Sequence, residues 1–195
     1  MSRVRVFAGG LLVVGVLLAL VVGRHSASGA SRSDALPRGN FSLEQAKAFK
    51  DFPVYYAGDS VAGLSLSAVV RRSDTANYVS FVYGDCVADD ETGCFPPLEV
   101  QVWPACMRNF ALYQKSPHAP IGQETSIRGV RGLTFDDGQR LEVQTRTATI
   151  VIFGDTKEIV ARAGRAIRGV NVQDAAGAAF VPPVANAVEG TLSCS

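Results

Sequence analysis

Histidine is nearly absent from this 195-residue chain, with only His25 and His118 present. A histidine-based catalytic centre needs the imidazole beside a nucleophile. His25 lies in a polar stretch and His118 in the Pro-rich segment SPHAP, so both read as solvated residues. The sequence has no G-x-G-x-x-G, no phosphate loop, no H-E-x-x-H and no G-x-S-x-G. These absences remove the sequence signals of dinucleotide binding, P-loop chemistry, zinc proteolysis and the α/β-hydrolase nucleophile. No C-x-x-C occurs either, which argues against a thioredoxin-type redox centre. Neither sign of charge dominates. A net charge of +1 offers no basic patch for a nucleic-acid backbone. No catalytic residue, cofactor or metal is expected from these patterns.

What is present begins with Val6 to Gly23, a run of 18 residues without a charge, preceded by Arg3 and Arg5. It is apolar all round, unlike a helix at the surface of a globular domain. Two readings remain. A membrane span needs about 20 apolar residues and tolerates roughly 17. A secretory signal has a shorter apolar core and a small-residue cleavage site, and Ser28-Gly29-Ala30 is a passable one. The length of the run favours an uncleaved anchor. Residues 1–24 are therefore expected to be an anchor or signal, and 25–40, rich in Ser, Gly and Ala, a flexible linker. The expected partner of residues 6–23 is the membrane.

The densest chemistry lies between Tyr78 and Arg108. This stretch holds Cys86, Cys94, Cys106 and the only Trp, Trp103. The fourth cysteine, Cys194, lies next to the end of the sequence. An even cysteine count beyond an export-type segment reads as two disulfides, with three connectivities open. Cys86–Cys94 would close a short loop between neighbouring strands, and Cys106–Cys194 then follows by elimination. In the chain-entropy model the short loop contributes ~2.6 kcal/mol and the long one ~4.6 kcal/mol. A four-cysteine zinc site is the rival. Its intervening stretches of seven, eleven and 87 residues do not fit the close pairs that zinc prefers. Asp85, Asp89, Asp90 and Glu91 crowd the same loop. They lack the ligand spacing of an EF-hand. The two readings left are a solvated loop tip and a contact for a cation or a basic partner. Trp103 and Tyr83 read as core or as the rim of a ligand groove.

The rest of the chain predicts α+β architecture: an antiparallel sheet of about five to seven strands, with an N-terminal and a C-terminal helix on one face. Ser42 and Gln45 form a capping box opening a short helix that Pro53 ends. Leu64–Arg72, Asn77–Tyr83 and Leu98–Trp103 read as strands, with Ser126–Val130 as a further short one. Asp136-Asp137-Gly138 is the clearest hairpin turn. ATIVIF, from Ala148 to Phe153, reads as a central strand buried on both faces. Asp155-Thr156 caps a helix expected to reach Arg168. Residues 41–170 would then be an extracytoplasmic domain, and 171–195 an extended Ala/Gly/Pro-rich tail stapled by Cys194.

The pattern YGDC, GCFPP, WPAC and a closing cysteine resembles small exported or single-anchor proteins of GC-rich Gram-positive bacteria. The resemblance implies a location outside the cytoplasm and attaches no activity or site residue. Two functions are expected from the residues. The first is a non-enzymatic binding or scaffolding module that meets an envelope protein or ligand through Asp85, Asp89, Asp90 and Glu91. The alternative is an extracytoplasmic hydrolase working through carboxylates of the 85–91 loop or His118.

Overall fold

The computed structural model describes residues 39–74, 76–85, 95–110, 122–145 and 147–172. All of these fall within one compact unit, Ser33–Ser195. The apolar run 6–23 lies outside the described residues. Among the described ones, no helix is long and apolar enough to cross a membrane.

The architecture is α+β and antiparallel. Among the described residues ten strands occur in chain order: β1 Tyr55–Tyr56, β2 Ser60–Val61, β3 Leu64–Arg72, β4 Tyr78–Tyr83, β5 Leu98–Pro104, β6 Gln123–Ile127, β7 Val130–Phe135, β8 Arg140–Gln144, β9 Ala148–Gly154 and β10 Arg168–Gly169. Two helices lie wholly within the described residues: α1, Leu43–Ala48, and α2, Lys157–Ala166. Eight strands form one sheet in the order β2-β3-β4-β5-β9-β8-β7-β6, and β1 pairs with β10 in a separate ribbon. The sheet is wider than the five to seven strands expected. The difference lies in elements with weak signals: two-residue β2, and the polar edge strand β6.

Sequence explains the sheet's centre. β9 is buried from Ala148 through Ile152, because both of its faces are covered and its residues are almost wholly apolar. It pairs with β5 on one side and β8 on the other. On β5, Leu98, Val100 and Val102 are each 0% exposed, while Glu99, Gln101 and Trp103 between them are half-buried. That period-2 alternation sends the apolar set to one face. There Val79, Phe81, Leu141, Val143, Ile150 and Ile152 join them in the main core.

Both helices contribute to this core, through Ala46 of α1 and Val160 and Ala163 of α2. The capping box is present, with Ser42 Oγ accepting from Gln45 N at 3.0 Å and Gln45 Oε1 accepting from Ser42 N at 2.8 Å. Thr156 caps α2 by accepting from Ile159 N. α2 packs on β8 and β9, and Gly164 allows that approach, since a Cβ there would meet Leu141 Cδ2 at 2.8 Å. The helix ends at Ala166, not at Arg168. Ile167 leaves helical geometry with ψ 131, and Arg168–Gly169 pairs with Tyr55–Tyr56 instead.

Two-residue turns fix the outer registers. Ala62-Gly63 joins β2 to β3, and Arg128-Gly129 joins β6 to β7, all four at positive φ. Such turns match the twist of the strands they join. The expected strand Ser126–Val130 is therefore a turn with strand on either side. The Asp136-Asp137-Gly138 turn joins β7 to β8 as expected.

Both edges of the expected domain extend by a residue. Asn40 bonds the backbone N and O of Arg71 through its side chain. Asn171 accepts from Val54 N and donates to the Phe49 and Phe52 carbonyls. The remainder of the expected tail, 173–195, lies outside the described residues.

Candidate functional site

The second face of the sheet carries the polar chemistry. Register places Val82, Glu99, Phe153, Arg140 and Phe135 side by side across β4, β5, β9, β8 and β7. The next row holds Ser80, Gln101, Val151, Glu142 and Leu133. A third holds Trp103, Thr149 and Gln144. Neither helix contributes to this face among the described residues.

Its side chains form two linked sets. In the first, Glu99 Oε1 accepts from Ser80 Oγ at 2.6 Å and from Gln101 Nε2 at 3.0 Å. Trp103 Nε1 in turn donates to Gln101 Oε1 at 3.1 Å. Tyr78 stacks on Trp103 with ring centroids 4.3 Å apart. Burial, reinforced by the Glu99 carboxylate, pushes the Tyr78 hydroxyl up from its ordinary pKa. In the second set Glu142, 0% exposed, accepts from both Arg108 Nη2 at 2.6 Å and Arg108 Nε at 3.4 Å. Arg140 Nε lies 3.7 Å from the same carboxylate. A buried carboxylate needs such partners to offset its desolvation. Arg108 also sits over the Trp103 ring, 5.4 Å from its centroid, which joins the two sets.

At one end of this face the sheet opens into a cleft of about 350 Å³. Phe95 and Phe153 supply aromatic surface, and Phe95 is 87% exposed. Glu99, Asp136 and Asp155 supply three carboxylates against the single guanidinium of Arg140. Arg140 is held over the Phe135 ring at 4.2 Å, with Nε 3.6 Å from Asp136. The cleft is thus acidic, aromatic and open to solvent. That combination suits an ammonium or guanidinium group, which gains from carboxylates and from ring faces together.

The residues expected to carry the site are only partly described. Asp85 is exposed and lies two residues beyond the end of β4. Cys86, Asp89, Asp90, Glu91 and Cys94 lie outside the described residues, as do His118 and Cys194. Cys106 is disulfide-bonded, and its partner is outside the described residues. Tyr83 belongs to the core: it is 0% exposed and its hydroxyl accepts from Ala57 N at 2.9 Å. Among the described residues, no three His, Cys, Asp or Glu side chains gather to hold a metal ion. Sequence reasoning missed Glu99, Arg108, Asp136, Arg140 and Glu142. For Glu99, Arg140 and Glu142 the signal was polar alternation on β5 and β8, which becomes a site only once those strands are known to flank β9.

Comparison of the chain with family models, with curated proteins and with solved structures gives no match.

Proposed function

We propose that this chain is a non-enzymatic extracytoplasmic binding module whose acidic cleft receives a cationic group of an envelope partner. Residues 6–23 hold it at the cell membrane or, if cleaved as a signal, release it. The observation that carries the reading is the cleft itself: three carboxylates and two phenylalanines around one guanidinium. The acidic loop 85–91 would offer the same partner further carboxylates. It belongs to the connection between β4 and β5, whose ends are held together by the pairing of Tyr83 with Leu98. That pairing favours a Cys86–Cys94 bridge across the loop. A pre-ordered loop binds at lower entropic cost. Cys106–Cys194 completes the bridges, and the bonded state of Cys106 fits an oxidising compartment.

The test neutralises the surface without reshaping it. Glu99→Gln, Asp136→Asn and Asp155→Asn remove three charges from the cleft, and Gln at 99 still accepts from Ser80 and Gln101. A second variant changes Asp85, Asp89, Asp90 and Glu91 to Asn or Gln. An oligolysine peptide should bind the full-length chain, weaken with salt, and lose at least tenfold in affinity in the cleft variant. Unchanged binding by a folded cleft variant would sink the proposal.

A further inference from the structure

The helix-bearing face holds a different surface. α2 packs on β8 and β9, and its C-terminal end meets the β6–β7 turn, where Arg128 donates to the carbonyls of Arg165 and Ile167. A groove of about 520 Å³ runs between the helix and the β6–β7 hairpin. Ile127, Leu141 and Val160 line it with apolar surface. Lys157, Arg162 and Arg165, all exposed, supply three positive charges against Glu158.

The groove borders a sheet edge. Among the described residues β6 is the last strand of the sheet. In a two-residue hairpin the residues flanking the turn exchange both backbone bonds. Ile127 and Val130 flank Arg128-Gly129, so Thr125–Gly132 and Gln123–Thr134 bond in the same way. Glu124 and Ser126, between them, therefore turn their N–H and C=O groups outward, and both residues are exposed. The opposite edge is closed: Phe41 bridges Val69, Asn40 bonds both backbone groups of Arg71, and Leu66 N donates to Asp59 O. Natural edges are guarded by lysine, proline or bulges. β6 has no Lys or Pro. Its one charge, Glu124, is paired with Arg131 at 2.5 Å, and both side chains alternate away from the groove.

The geometry points to β6 and the α2 groove as a docking site for an extended acidic peptide from a partner protein, added as a ninth strand. The outward groups of Glu124 and Ser126 bond the peptide backbone. Alternate carboxylates of the peptide meet Arg162 and Arg165, and such strand addition takes specificity from pockets at alternate positions. This site is distinct from the acidic cleft and selects the opposite charge.

The probe is a fluorescein-labelled hexapeptide of alternating valine and glutamate, blocked at its C-terminus, read by anisotropy on the full-length chain in non-ionic detergent. Arg162→Gln with Arg165→Gln should weaken binding at least tenfold. Ser126→Pro removes one outward donor where an edge strand tolerates proline, so it should abolish binding with the melting temperature held. A backbone N-methylated probe should fail in the same way. If Ser126→Pro binds normally, or the N-methylated probe or polyphosphate binds equally well, the surface is a plain anion patch and the strand-addition assignment is overturned. Concentration-dependent self-association that Ser126→Pro relieves would make the occupant a second copy, which also overturns it.

Discussion

Asn171 is the most informative single lever on the domain. Its Oδ1 accepts the Val54 N–H at 2.7 Å, and its Nδ2 donates to the carbonyls of Phe49 and Phe52, both at 2.9 Å. One amide thus ties the chain after β10 to the segment between α1 and β1. Asn171→Ala removes all three bonds. Each carbonyl bond contributes about 0.5–1.5 kcal/mol net, and orphaning a buried N–H costs about 1–3 kcal/mol. Val54 is 0% exposed, so water cannot take over its N–H without local opening. The expected loss is about 2–6 kcal/mol, or roughly 5–25 °C in melting temperature for a domain of this size. Urea and thermal unfolding of the full-length chain, followed by circular dichroism, measure it, and the urea m value should not change. Asn171→Asp keeps the acceptor but turns a carboxylate toward two carbonyls, which raises its folded pKa above the unfolded value. A raised pKa means stability present at acid pH and lost as pH rises through the folded value. The Asp variant should therefore fall below the Ala variant at neutral pH and recover in acid. A loss under about 0.5 kcal/mol for Asn171→Ala would falsify the view that this amide closes the domain.

Two further outcomes are expected. Burial pushes Tyr55 up to about 12 and Tyr83 further still. Their stabilising effect is thus complete below the unfolded value of about 10 and is lost as pH rises through the folded values. Tyrosinate absorbance and circular dichroism should show alkaline unfolding that begins above pH ~10; native structure that stays equally stable through pH 12 refutes it. A non-reducing peptide map of envelope-derived protein should show Cys86–Cys94 and Cys106–Cys194; a Cys86–Cys106 link would correct the pairing, and four alkylatable thiols would refute export.

Much of the sheet was legible because its signals are local. β3 was read from Leu64 to Arg72 and occupies those residues. The alternation of β5 and the continuous apolar run of β9 told their burial directly. The misses are also physical. Arg-Gly is a weak turn signal, since a non-glycine residue at φ 55 is strained. Arg128 accepts that conformation while its guanidinium donates to the carbonyls of Arg165 and Ile167 at the end of α2. A cation there also suits the helix dipole. Those bonds cross 37 and 39 residues, and no local window shows them. The same is true of the β1–β10 ribbon, where Arg168 leaves the expected helix and donates to Tyr56 Oη at 3.0 Å. A two-residue strand has no periodicity to read.

Charge was the signal that composition concealed most. A net charge of +1 describes a chain without an electrostatic purpose, and the sum is blind to faces. Alternate residues of a strand project to opposite sides, so a balanced total can separate into opposite fields. The Asp136-Asp137-Gly138 turn lies between the two surfaces here. Asp136 borders the cleft on the face opposite α1 and α2, whereas Gly138 borders the groove beside Lys157. Three carboxylates and one guanidinium line the first; three cations and one carboxylate line the second. The screening length at physiological salt is about 8 Å, so the two fields meet at the border where Asp155 of the cleft precedes Lys157 of the groove and are screened from each other away from it. Oligolysine and the acidic hexapeptide should therefore bind the same molecule without competing, each losing affinity with added salt.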